Sequence, residues 1–123
     1  MTEIDEFVVK MLVVVPQLSK EYNENISDWI PNTPPILILL ASLGRGLADL
    51  NLTDDILKKV LEVIECGVKS ENNILSTATT TGLLEAFYFR VENNQNIKQK
   101  VLELLGENSK KYIIALNEFH GVQ

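Results

Sequence analysis

Along nearly the whole chain, apolar side chains return every three or four residues, and that period most narrows the folds open to it. From Glu3 to about Val15 it places Ile4, Phe7, Val8, Met11, Leu12 and Val15 on one helical stripe. Thr2 stands where an N-cap belongs, with Asp5 three residues on to complete a capping pair. Pro16 interrupts; because proline is accepted in a first helical turn, a second helix is expected from Pro16 to about Asn25. The stretch from Ile26 to Pro35 is the least regular, because Pro31, Pro34 and Pro35 fall within five residues. A third helix is expected from Pro34 or Pro35 to about Leu50, capped by Asn32 or Thr33. Its start, Ile36-Leu37-Ile38-Leu39-Leu40, is apolar all round, which predicts burial at the centre.

The rest of the chain continues in the same way. Thr53 caps a fourth helix to about Lys69, and Asp54 and Asp55 complement its dipole. Ser70 and Glu71 open a fifth helix to about Arg90. Asn93 or Asn94 caps a sixth that ends at Gly106, and Asn108 or Ser109 starts a seventh. Strand alternation is poor and no Asn-Gly or Asp-Gly turn occurs. The expected fold class is therefore all-α: one domain over residues 1–123, a bundle of about six or seven helices in antiparallel pairs. Hydrophobic residues at 46% and charged ones at 23% supply one core without disulfides, and exclude a disordered chain. No residue-level repeat is visible at solenoid periods.

Compartment follows from three absences. The chain has one cysteine, Cys66, so no internal disulfide can form. Its start is acidic where a secretory leader is basic, and its longest apolar run, Ile36 to Ala41, falls far short of the ~20 residues that cross a bilayer. A cytoplasmic protein with no membrane partner is expected.

Catalytic groups are hard to find. His120 is the sole histidine, without companions for a metal site or an oriented base. Cys66 borders an apolar helix face and is expected to be a small buried or half-buried core residue. Gly44-Arg45-Gly46 lacks the Lys-Ser/Thr of a phosphate loop and any preceding strand, so its glycines predict close helix approach instead. In Ser76-Thr77-Ala78-Thr79-Thr80-Thr81-Gly82 the hydroxyls are expected to bond back to the preceding turn. No enzyme, cofactor or metal is expected.

Two features invite a role. Glu85 is the only ionisable group in Gly82-Leu83-Leu84-Glu85-Ala86-Phe87-Tyr88-Phe89, and Arg45 is equally isolated in its own apolar segment. An Arg45–Glu85 ion pair locking the third helix to the fifth is expected, because a charge in such a setting calls for a partner. Charge is also lopsided. The net of −6 resides wholly in residues 1–56, which hold nine acids and three bases, while residues 57–123 balance eight against eight. Glu21, Glu24 and Asp28 share one side of the second helix if it extends that far, and Trp29 follows as an aromatic anchor. With Asp49, Asp54 and Asp55 these residues form the candidate surface for a basic protein; such a face repels nucleic acid.

The run Ile64-Glu65-Cys66-Gly67-Val68-Lys69-Ser70-Glu71-Asn72-Asn73-Ile74, followed by Thr81-Gly82-Leu83-Leu84-Glu85-Ala86, resembles small all-helical bacterial immunity proteins. The shared pattern is Glu-x-Gly, then Ser with Ile four residues on, then Leu-Leu-Glu. Val15-Pro16-Gln17-Leu18 and Tyr22 are similar too, so the likeness spans about residues 5–105. Leu83 departs from it, standing where that family carries an aromatic residue. Those proteins belong to polymorphic-toxin and contact-dependent growth inhibition systems. The resemblance implies an inhibitor that binds and neutralises a cognate toxin domain, often a basic nuclease. The alternative is a scaffold or regulatory adaptor that holds a partner helix in an apolar groove.

Overall fold

A computed structural model describes residues 1–119. Among them the chain is all helix and loop. α1 (Glu3–Val14) leads through a 3-10 turn (Pro16–Leu18) into α2 (Ser19–Trp29), followed by α3 (Ile36–Asp49) and α4 (Asp54–Val68). A continuous α5 covers 73–91, then α6 (Gln95–Leu104) and α7 (Glu107–Phe119) complete seven helices. None of these is long and apolar enough to cross a membrane.

Local chemistry accounts for most of the boundaries. The Thr2 hydroxyl accepts from the Asp5 amide at 3.1 Å while the Asp5 carboxylate accepts from the Thr2 amide at 3.3 Å, a complete capping box. Thr53 and Asn94 cap α4 and α6 as expected, by accepting from Ile56 and Ile97. Three expectations need correction. α2 continues to Trp29, because the break comes only with Ile30-Pro31. α3 begins at Ile36 with Pro35 at its cap position and no capping side chain, so neither Asn32 nor Thr33 serves. Asn72, not Ser70, caps α5; Ser70 instead donates to Glu3 at 2.5 Å.

Packing centres on α3 and α5. Ile36 and Leu37 lie beside Ala78, Gly44 meets Leu83, and Asp49 reaches Arg90, so the two helices run parallel along their whole length. At the crossing a Cβ on Gly44 would overlap the Leu83 carbonyl oxygen, which is the close approach the glycine pair predicts. α2 returns antiparallel to α3, with Glu21 near Gly46 and Asn25 on Ser42. α4 is antiparallel to α1, where Gly67 sits against Phe7 and Ser70 against Glu3. One buried cluster joins these layers, with Met11, Leu40, Leu43, Ile64, Leu84 and Phe87 at its middle.

Within α5 the middle turns, Ala78–Leu84, are π-helical. The Thr79 and Thr80 hydroxyls donate back to the carbonyls of Leu75 and Ser76 at 2.7 and 2.9 Å. By competing for carbonyls four residues back they favour a widened turn there. Cys66 is exposed and not a core residue, because Gly67, its neighbour, is the one turned inward. His120 lies outside the described residues.

Candidate protein-binding groove

The seven carboxylate and aromatic residues expected to form one surface do not come together. Glu21 is turned into the α2–α3 contact, where it accepts from the buried Ser42 hydroxyl at 2.5 Å, and Ser42 in turn accepts from Asn25. Its role is to fasten α2, which buries no side chain of its own. Asp49 is held by a two-pronged contact from Arg90 at 3.0 Å, and Asp54 pairs with Lys100 at 3.0 Å. Asp55 stands exposed in the first turn of α4. Glu24 and Asp28 are exposed on α2; the Asn25–Ser42 contact sets them beside the middle and first half of α3, roughly 9 and 15 Å along its axis from Asp49 at 1.5 Å per residue. Trp29, expected as an aromatic anchor, closes α2 at 37% exposure.

Nor do Arg45 and Glu85 pair. Arg45 is exposed and makes no ion pair among the described residues. Glu85 instead accepts from the Tyr112 hydroxyl, which also lies 3.3 Å from Thr81. The reason is rotational. Gly44 and Leu83 face each other, so Arg45, about 100° further round, turns to solvent. Glu85 is two residues beyond Leu83 and turns toward α7. Burial and then the Glu85 carboxylate raise the Tyr112 phenol above its usual value.

Where the first turn of α3 was expected at the centre, it lies instead at an opening. Leu37 and Ile38 remain 42% and 44% exposed. Beside them is a groove of about 710 Å³. Ile4, Val8, Val9 and Leu12 of α1 form one wall, Tyr22 and Ile26 of α2 the other, and Ile36 and Leu39 of α3 the floor. Met1, Thr33 and Pro34 complete the lining. Asp5 carries the only charged side chain lining it. Past Ile36, which lines both, a second cleft of about 410 Å³ continues between Leu37 and Ile74 and holds no charge.

Sequence periodicity assigns Ile4, Val8 and Leu12 to the core stripe, and so hides the groove. The usable signal was a surplus. Val9 and Val13 lie off that stripe one turn apart, and the start of α3 has more apolar faces than one core can cover.

The negative charge also has a location that sequence counting misses. Asp49 and Asp54 are neutralised by Arg90 and Lys100 from the later half. α1 and α2 themselves carry Glu3, Asp5, Glu6, Glu21, Glu24 and Asp28 against Lys10 and Lys20; Lys59 of α4 shares a cleft with Glu3 and Glu6, but none of the six forms an ion pair among the described residues. Glu24 and Asp28 are about 200° round α2 from Tyr22 and Ile26, so they act on the groove through their field and not by contact.

The residues that carry the resemblance hold the fold. Glu65 accepts from the amides of Asn108 and Ser109 at 3.0 and 2.9 Å and from both of their side chains. Burial pushes its carboxyl up, but those four hydrogen bonds outweigh it and keep the group below its ordinary value. Gly67 makes room for Phe7 and Thr79, and Leu83 is fully buried. Among the described residues no three His, Cys, Asp or Glu side chains gather as a metal-binding group. No curated protein and no solved structure matches the chain. Residues 8–121, nearly the full length, match a domain of unknown function, DUF7674, and the chain belongs to that family.

Proposed function

We propose that this protein binds a basic partner protein in the groove formed by α1, α2 and α3, as an immunity protein binds its toxin. The observation that carries this reading is an apolar groove whose two outer helices bear a net charge of −4, six acids against two lysines. Apolar lining supplies affinity through buried area, and the surrounding field steers a cationic domain toward it. The resemblance over residues 5–105 supplies the class of partner, a toxin domain. Asp49 and Asp54, already paired, contribute little to docking.

The test is co-expression with the C-terminal domain of the protein encoded beside this one. A stoichiometric complex is expected, and Val9→Lys should weaken it about tenfold or more, the usual loss at a central contact. Val9 is 46% exposed, so the substitution leaves the core intact, and a thermal melt checks this. Undiminished binding by folded Val9→Lys protein would show that the contact lies elsewhere.

A further inference from the structure

The make-up of the groove walls restricts what can lie between them. Apart from Met1, Thr33 and Pro34 the lining residues are helical, with backbone groups that bond largely within their own helices, and no strand occurs among the described residues, so no continuous backbone edge lines the groove. An extended segment would bring one N–H and one C=O per residue with nothing to pair them. A helix carries its own bonds and offers a side-chain stripe instead. From Ile4 to Leu12, α1 provides about 12 Å of wall at 1.5 Å per residue, the length of two to three helical turns. A second copy of this chain is a poor occupant, because α1 and α2 would meet like charge with like. Asp5, in the groove lining, and the longer-range field of the other acids on α1 and α2 favour cations beside the apolar stripe.

We infer that the occupant is an amphipathic helix of the partner, with apolar residues toward Val8, Val9 and Leu12 and with lysine or arginine flanking that stripe. This rests on the groove being the binding site. Three synthetic peptides of about 14 residues, roughly four helical turns, test it by fluorescence anisotropy: an amphipathic Leu/Lys helix, the same composition scrambled, and an amphipathic Leu/Glu helix. The Leu/Lys helix is expected to bind about tenfold or more tighter than either control, and to lose that advantage on Val9→Lys but not on Asp55→Asn. Equal binding of the scrambled peptide would overturn the helical stripe, and equal binding of the Leu/Glu peptide would overturn the basic flanks. If the peptides fail to discriminate while Val9→Lys still breaks the complex with the neighbouring protein, the helix inference falls and the groove stands. If Val9→Lys spares both, the groove itself is the wrong site.

Discussion

Glu65 shows how one side chain can serve a helix it does not belong to. The first amides of α7 have no intrahelical acceptors, and the Glu65 carboxylate, reaching across from α4, takes two of them together with the side chains of Asn108 and Ser109. Its loss is comparable to losing an N-cap, so Glu65→Ala should lower stability in urea by about 1–2 kcal/mol at neutral pH. The sign of the pH dependence follows from its lowered carboxyl value. The contribution is complete above the ordinary value of 4.5 and fades as pH falls through the folded-state value. The gap between wild type and Glu65→Ala should therefore narrow in acid. A gap of constant size from neutral pH to about pH 3, well below the ordinary glutamate range, would contradict this account. No local sequence pattern pairs residue 65 with residue 108, which is why the sequence shows Glu65 only as half of an i, i+4 surface pair with Lys69.

Helix α3 owes its position to its glycines more than to its apolar start. Gly44 and Gly46 look equivalent in sequence, yet they face different neighbours. A Cβ at 44 runs into the backbone carbonyl of Leu83, whereas one at 46 meets the movable end of the Leu18 side chain at 3.2 Å. Gly44→Ala should thus force α3 and α5 apart and cost about 1–3 kcal/mol or more. Gly46→Ala should stay within roughly 1 kcal/mol of wild type, since better helix propensity offsets a small side-chain shift. Equal effects in a pair of chemical denaturation curves would refute this assignment of roles. The helix was legible in the apolar period of its sequence, and its pairing with the fifth helix was expected, but through an Arg45–Glu85 contact that gives way to Gly44 on Leu83 and Asp49 on Arg90. The π turns of α5 were equally hidden, although the threonine run that supports them was visible as a source of back-bonding hydroxyls.

At the scale of the molecule, two cross-chain ion pairs redistribute the field. Arg90 and Lys100 are sequence-distant from Asp49 and Asp54, and by meeting them they leave α1 and α2 as the main uncompensated negative region. Both pairs are exposed, so their worth to stability is small, ~0–1 kcal/mol each. Their effect on where a cation is drawn is larger. Association with a basic partner should accordingly slow as ionic strength rises from about 0.05 to 0.5 M, because the screening length falls below about 10 Å over that range. Under the proposed binding mode, dissociation depends on apolar contacts in the groove and should change much less. Stopped-flow measurements separate the two, and a salt-independent association rate would remove steering from the mechanism.

The sequence by itself determined the all-helical class, the capping of α1 and α4 by Thr2 and Thr53 and of α6 by one of Asn93 and Asn94, and the imbalance of charge between the halves. Those properties depend on residues within a turn or two of one another, or on counting, and so can be read along a line. Only the tertiary structure decided that Arg45 and Glu85 never meet, that Asp49 and Asp54 are already neutralised, and that Ile36, Leu37 and Ile38 stay at an opening while Leu39 and Leu40 of the same run are buried. Each of these turns on which side of one helix faces which side of another. Rotations of about 100° per residue settle that, and they acquire direction only once the helices are packed.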